Sequence, residues 1–212
     1  SLERVIDDAK LKLAIEIYAA YRFELSENAQ LITLVTALEA LLPDTERVLG
    51  ARHTESLDVR EEIAFTLGRI GRADDADNAY RSLIDVLIAG DDAAALGTAF
   101  QRRVRVHELN VDDERLDAAL LDATETLSAV LGIAHPTTRE LREKWAYRLA
   151  ETRREEQAIA QYEAISSAMS GKSDETSIDV YVTAEHAIAV LERRLDRVEP
   201  SLARLQRAAD MD

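Results

Sequence analysis

The sequence predicts an all-α protein built as a row of about five antiparallel helix pairs, and two observations carry this prediction. The first is composition: the 212 residues include only 7 Gly and 3 Pro, and aromatic residues make up 5%. Ala, Leu, Glu and Arg, which are good helix formers, dominate instead. The second is an internal repeat, which is typical of solenoids whose units bury their apolar faces by stacking on one another.

The repeat relates segment 48–80, VLGARHTESLDVREEIAFTLGRIGRADDADNAY, to segment 130–162, VLGIAHPTTRELREKWAYRLAETRREEQAIAQY. Aligned without a gap at an offset of 82 residues, the two segments share 11 identities in 33 positions. Because half of this offset is about 41 residues, a typical length for such units, we expect a divergent unit between the two copies.

Each copy has the pattern of a helical hairpin. Apolar residues recur every three or four positions on both sides of a short polar segment, as they do on one face of an α-helix. In the first copy we expect Gly71 to end the first helix and Asp74 or Asp75 to lie at the start of the second. The predicted unit is therefore a helix, a tight turn and a second helix.

The residues around this turn resemble the signature of the tetratricopeptide repeat (TPR), which has a small residue where the two helices cross and an aromatic residue one turn later. The matching residues are Ala64, Leu67, Ala76 and Tyr80 in the first copy, and Ala146, Leu149, Ala158 and Tyr162 in the second. The preceding VLGARHTES and VLGIAHPTT are similar to the L-G-x-x-H-P-x-T pattern of the longer, roughly 42-residue variant found in kinesin light chains. Thr54 departs from that pattern, whereas Pro136 keeps it. The resemblance implies a right-handed alpha-alpha superhelix, a TPR-like solenoid.

The resemblance also implies a division of the chain into five helix pairs. The middle pair is divergent, and Val104 lies near its small-residue position, so we expect looser packing or a shifted register there. The predicted segments are an N-terminal helix pair that is a cap or divergent repeat (1–47), a TPR-like repeat (48–89), a divergent repeat (90–129), a second TPR-like repeat (130–171) and a C-terminal helix pair that is a cap or divergent repeat (172–212).

The charge and composition restrict the class of partner. A formal net charge of −15 repels nucleic acid and anionic lipid, so we expect a protein or peptide partner and neither nucleic acid nor membrane. The chain has no Cys, which excludes disulfides and suits a cytoplasmic location. No apolar run approaches the roughly 20 residues that span a bilayer, and no signal-peptide pattern opens the chain. Because the chain begins with SLERV rather than Met, we expect it to be a fragment of a larger protein.

Motifs that carry catalysis or bind cofactors are missing from the sequence. There is no Gly-rich phosphate loop, no G-x-S-x-G and no H-E-x-x-H. His53 and His135 are equivalent residues of distant repeats and are interpreted as loop histidines that precede a helix, while His107 and His186 have no ligand-type partner at helical spacing. We therefore predict no enzyme activity, no catalytic residue, no cofactor and no metal.

One catalytic alternative remains open. The spacing R-x4-H at Arg102 and His107, and R-x5-H at Arg47 and His53, resembles pairs found in ribonucleases of the HEPN class. Such a site requires that the arginine and the histidine converge at a dimer cleft to stabilise a phosphate and move a proton. The alternative interpretation of QRRVRVH is a charged helix face.

The favoured function is binding of a peptide or helix from another protein. The TPR pattern implies that one face of each first helix lines a concave groove, with Phe65 and Tyr147 as exposed anchors unless they pack on a neighbouring helix. Arg102, Arg103 and Arg105 would clamp an acidic or C-terminal carboxylate segment, unless they pair with carboxylates of the chain itself. The predicted partner-binding residues are Phe65, Arg69, Gln101, Arg102, Arg105, Glu143 and Tyr147.

Two further possibilities stay open. The C-terminal SLARLQRAADMD is amphipathic, so the terminal helices are candidates for a homodimer interface. The chain is also a candidate for the sensor or adaptor segment of a larger bacterial signalling or defence protein.

Overall fold

The computed structural model describes residues 27–90 and 92–210, and within these ranges the chain forms nine α-helices and no strand. The helices are α1 (Glu27–Leu49), α2 (Thr54–Arg69), α3 (Ala73–Gly90), α4 (Ala93–Leu109), α5 (Asp113–Val130), α6 (Pro136–Glu151), α7 (Glu155–Met169), α8 (Glu175–Arg194) and α9 (Val198–Ala209). The all-α prediction is confirmed. The additional helix predicted at the start of the chain falls in residues 1–26, outside the described ranges.

The chain divides into two compact units, with the boundary between Leu116 and Asp117. In the first unit, α1 packs on α2, α2 on α3 and α3 on α4, and α2 also lies against α4. In the second unit, α6 packs on α7, α7 on α8 and α8 on α9. Hydrogen bonds from Arg142 to Ser128 and from Thr138 to the Leu127 carbonyl tie α6 to α5. Each unit is therefore a set of neighbouring helices packed in chain order.

The turns inside the hairpins share one geometry. After α2, Gly71 has a φ of +83°, and its N–H donates to the Gly68 carbonyl at 3.2 Å while the Arg72 N–H donates to the Leu67 carbonyl at 2.9 Å. This pair of bonds is the Schellman motif, which satisfies carbonyls at the helix end and turns the chain sharply. The left-handed residues at these four turns are Gly71, Val111, Arg153 and Asp196, spaced 40, 42 and 43 residues apart.

This spacing defines the structural register of the repeats. Ala64 and Ala146 are completely buried at the predicted small-residue position, and so is the bulkier Val104, which occupies that position in the divergent repeat. The first two of these turns are 40 residues apart, whereas the second and third are 42 residues apart. Gly68 marks a close approach of α2 and α4, because an added Cβ would lie 2.5 Å from Val106 Cγ2.

None of the helices in the described ranges is long and apolar enough to cross a membrane.

Candidate functional site

The face of the first unit formed by α2 and α4 carries a compact group of three side chains. Glu61 and Phe65 lie one helical turn apart on α2, and Arg102 extends from α4 onto both. The guanidinium carbon of Arg102 is 5.6 Å from the centre of the Phe65 ring, and its NH1 is 3.2 Å from Glu61 Oε1. A guanidinium in this position gains both a cation–π contact and an ion pair.

The carboxylate of this group is electrostatically perturbed. Partial burial raises the pKa of Glu61, with Asp58 and Glu62 acting in the same direction and Arg102 against them. Behind it, burial raises the pKa of the Tyr80 phenol, and the charge of Glu61 adds to that shift. The Tyr80 hydroxyl has no hydrogen-bond partner within the described part of the chain. The Glu61 carboxylate is thus partly desolvated, and Arg102 is the ion-pair partner that compensates for this.

The other cationic residues predicted for this face also have carboxylate partners. Arg69 NH2 lies 2.9 Å from Glu27 Oε1, and Arg105 NH1 lies 3.3 Å from Glu108 Oε2. Gln101 is half-buried on α4. These arginines therefore pair with the chain's own carboxylates, which is the alternative that the sequence left open beside a clamp for an acidic segment.

Arg103 does not belong to the exposed face at all. Only 2% of its side chain is exposed, and its Nε donates a hydrogen bond to Asp77 Oδ1 at 2.7 Å. His107 is also buried, with Nε2 at 3.1 Å from the same oxygen. The interpretation of QRRVRVH as a charged helix face is thus wrong for these two residues, because they occupy the register positions of the buried Ile63 and Leu67.

The same geometry separates the residues of one candidate HEPN-type pair, Arg102 and His107. Arg102 is 43% exposed and pairs with Glu61 on α2. His107 is buried against Asp77 on α3. Within one chain, these two side chains do not converge on one cleft. Among the described residues, no group of three His, Cys, Asp or Glu side chains is arranged to hold a metal ion.

The second unit presents an equivalent face on α6. Glu143 and Tyr147 occupy the register positions of Glu61 and Phe65, and both are exposed, Tyr147 to 64%. The Glu143 carboxyl group is nevertheless partly desolvated, which raises its pKa; the negative charge of Glu140 acts in the same direction and Arg139 against it. Burial and the charge of Glu143 raise the pKa of Tyr162 in turn. The arrangement of carboxylate, ring and underlying tyrosine is therefore present in both units.

A pocket of about 460 Å³ lies elsewhere in the second unit, between α5, α6 and α7. Arg154 stacks on Trp145 there with its guanidinium carbon 5.1 Å from the ring, and it pairs with Asp117 at 2.6 Å. This pocket was not predicted from the sequence, although Trp145, the one tryptophan of the chain, occupies the register position of the buried Ile63. Arg154 and Asp117, the two charged residues of this pocket, therefore already pair with each other.

Comparison with known proteins supports the fold and gives no closer relationship. No protein-family profile matches the sequence, and no curated protein does. A crystal structure of a variant kinesin light chain with nearly identical TPR-like repeats from Podosopora anserina is 14% identical and has a TM-score of 0.50, covering 95% of this chain and 94% of its own. BtubC (BKLC) from P. vanneervenii is 12% identical with a TM-score of 0.50, covering 98% of this chain and 90% of its own. In its described ranges the chain therefore has the TPR-like repeat fold seen in kinesin light chain structures, as the resemblance of its repeats predicted.

Proposed function

We propose that the chain is a non-catalytic scaffold that binds a peptide or helix of another protein on the exposed faces of the first helices of its hairpins. The observation that supports this most directly is Tyr147, a large aromatic side chain that is 64% exposed on α6. Exposed aromatic residues are frequent anchors in protein interfaces, because they bury much area at low entropic cost.

The fold supplies a reason why such a surface binds well. TPR-like repeat folds generally serve as scaffolds for protein interaction rather than as enzymes. Hairpins closed by Schellman turns hold the first helices in fixed positions, so that the chain loses little conformational entropy when it binds a partner. The proposed binding residues are Phe65, Arg69, Gln101, Arg102 and Arg105 in the first unit, and Glu143 and Tyr147 in the second.

A selection from a random peptide library displayed on phage tests this function. Peptides selected on the wild-type protein are expected to bind Tyr147→Ala at least tenfold more weakly, a factor that corresponds to ~1.4 kcal/mol. Ile88→Ala, which shortens another exposed apolar side chain on α3, serves as the control and is expected to bind normally. Selected peptides that bind all variants equally would show that the proposed faces are not the binding surface.

A homodimer through the terminal helices is the second candidate. On α9, Val198 and Leu202 are each 56% exposed and lie four residues apart on one face. Packing two such faces together removes both side chains from water. Sedimentation equilibrium at micromolar concentration is expected to show a dimer that Leu202→Glu dissociates, whereas a monomeric wild-type protein would eliminate this candidate.

We also propose that the chain acts in the bacterial cytoplasm as the sensor or adaptor segment of a larger signalling protein. The absence of Cys from 212 residues suits a reducing compartment. Immunodetection in fractionated cells of the source organism tests both the size of the protein and its location. A band no larger than this chain would contradict the larger protein, and a band in a membrane or extracellular fraction would contradict the cytoplasmic location.

A further inference from the structure

We propose that Glu143 and Tyr147 bind an arginine side chain of the partner, so that the preferred ligand is a basic, arginine-containing segment. This inference rests on the proposed scaffold function and adds the chemistry of the ligand. The structure of the first unit provides the reasoning, because there the same pair of residue types already holds an arginine.

The two sites correspond residue by residue. Glu61 and Phe65 on α2 match Glu143 and Tyr147 on α6 at the repeat offset of 82 residues, and Tyr80 and Tyr162 follow at the same offset. In both units the carboxyl group is partly desolvated and its charge raises the pKa of the tyrosine beneath it. The two faces therefore present the same combination of negative charge and aromatic surface.

In the first unit, the chain itself fills this site. Arg102 belongs to α4, the first helix of the following hairpin, and its guanidinium stacks 5.6 Å from the Phe65 ring centre while pairing with Glu61 at 3.2 Å. Arginine suits both interactions at once, because its planar group stacks on a ring and forms directed hydrogen bonds to a carboxylate. A lysine ammonium provides a point charge without the planar surface.

In the second unit, the corresponding arginine is missing. Val111 follows the end of α4 and Asp196 follows the end of α8, and both are left-handed. When the two helices are aligned on these residues, Ala187 of α8 falls at the position of Arg102 in α4. Glu143 forms no ion pair with any residue in the described ranges, and Tyr147 is 64% exposed. Arg139 therefore acts on the Glu143 carboxyl group through its charge without an ion pair, and no guanidinium of the described residues stacks on the Tyr147 ring.

The charge of the whole chain favours the same kind of ligand. With a formal net charge of −15, the protein attracts cationic segments and accelerates their association. Because this attraction acts on any cation, the test has to separate a specific guanidinium site from the general field.

Fluorescence anisotropy with a labelled peptide of four Arg-Gly repeats, at physiological ionic strength, provides that separation. The wild-type protein is expected to bind this peptide about tenfold more tightly than matched peptides in which citrulline or lysine replaces arginine. A tenfold difference in affinity corresponds to ~1.4 kcal/mol. Glu143→Gln and Tyr147→Ala are each expected to remove most of this preference. Glu199→Gln is the control, because it removes one negative charge, as Glu143→Gln does, from an exposed residue of α9. It is expected to change the affinity for the arginine peptide by less than twofold.

Two variants test the correspondence between the units. Ala187→Arg supplies in α8 the arginine that this site lacks, and is expected to weaken peptide binding about tenfold by occupying Glu143 and Tyr147. Arg102→Ala empties the first site and is expected to create a second arginine-binding site there, which raises the measured stoichiometry. Circular dichroism melting confirms that each variant is folded.

Equal binding of the arginine and citrulline peptides, no binding of the arginine peptide, or equal effects of Glu143→Gln and Glu199→Gln would overturn the inference. The scaffold function is separable from it. If library peptides without arginine bind and still require Tyr147, the proposed function stands and the arginine site is wrong.

Discussion

Asp77 and Arg103 form an ion pair 2.7 Å long in the interior of the first unit, where only 2% of the arginine side chain is exposed. The pair joins α3 of one hairpin to α4 of the next. His107 Nε2 approaches the same Asp77 oxygen at 3.1 Å, so two side chains of α4 contact the same carboxylate. Removing that carboxylate takes a charged partner away from a buried cation, and breaking a buried ion pair in this way is strongly destabilising.

We therefore predict that Asp77→Asn lowers the free energy of unfolding of the first unit by about 3 kcal/mol. Urea denaturation followed by circular dichroism measures this change. Asp75→Asn is the matched control, because Asp75 pairs with Arg72 at a site where both side chains are about half exposed. Such surface pairs contribute at most about 1 kcal/mol, so a control effect as large as that of Asp77→Asn would contradict the argument.

The same carboxylate predicts a pH dependence. Burial acts to raise the pKa of Asp77, but hydrogen bonds from His107 and Arg103 and the charges of Arg103 and Arg81 outweigh it and hold the pKa well below its usual range. A group whose pKa is depressed in the folded state stabilises the protein above its unfolded pKa, about 3.9 for Asp, and loses this contribution as the pH falls. The wild-type protein is expected to lose stability below about pH 4 more steeply than Asp77→Asn. Parallel acid titrations of the two proteins would contradict this assignment.

The hairpins were predictable from the sequence because their causes are local. Apolar spacing and Gly71 mark where α2 ends, and both appear within a short stretch of chain. The Asp77–Arg103 pair joins residues 26 positions apart, and its formation depends on how α3 packs on α4. A charged run such as QRRVRVH does not reveal by itself which of its residues face inward.

The candidate site was predictable only in part, for a similar reason. The repeat alone places Phe65 and Tyr147 at equivalent positions. It does not show that Arg102 covers one ring while Tyr147 stays exposed, because that difference arises from the neighbouring hairpin, which has Arg102 in one case and Ala187 in the other.

A second stability prediction concerns the close approach of α2 and α4 at Gly68. A Cβ at this position would lie 2.5 Å from Val106 Cγ2 and 3.0 Å from Val106 Cγ1. We expect Gly68→Ala to destabilise the first unit by about 1–3 kcal/mol, the usual range for overpacking, even though Ala is the better helix former. Thermal melting measures the effect.

Two further variants identify the cause. Val106→Ala removes the atoms that clash, so the Gly68→Ala substitution is expected to cost less in that background than in the wild type. Gly90→Ala is the control, because its Cβ would meet only Arg52 Cδ at 3.8 Å, and it is expected to be neutral or slightly stabilising. Additive effects of Gly68→Ala and Val106→Ala would show that the clash is not the source of the cost.

A third prediction concerns the turn after α4. Val111 has a φ of +51° and is 84% exposed, at the position that Gly71 occupies in the preceding hairpin. A β-branched residue is strained in this left-handed conformation, and its exposed side chain gains no packing in return. Val111→Gly is expected to stabilise the protein by about 1 kcal/mol in thermal melting. Gly71→Val, the reverse change at the equivalent turn, is expected to destabilise it, and the idea fails if both substitutions shift the melting temperature in the same direction.

The last prediction concerns Arg204, which neutralises two buried carboxylates of α8. Its Nε lies 3.0 Å from Glu192 Oε1 and its NH1 3.3 Å from Glu185 Oε1, where the two glutamate side chains are 7% and 4% exposed. Ser166 donates a further hydrogen bond to Glu185 at 2.6 Å. The two Arg204 contacts fasten α9 to α8, and both depend on one guanidinium.

Arg204→Leu is therefore expected to destabilise the second unit by about 3–5 kcal/mol, because both glutamates lose a guanidinium partner in a buried site. The fluorescence of Trp145, the single tryptophan of the chain, follows unfolding of this unit. Arg207→Leu is the control: Arg207 is 54% exposed and 3.5 Å from Glu185, so we expect a loss below about 1 kcal/mol. Glu192 occupies the register position of the buried Leu67 and Leu149, so adding Glu192→Leu to Arg204→Leu replaces an unpaired charge with an apolar side chain and is expected to recover part of the stability. If the double variant were less stable than Arg204→Leu alone, the cost would come from lost packing of the arginine stem rather than from a buried charge.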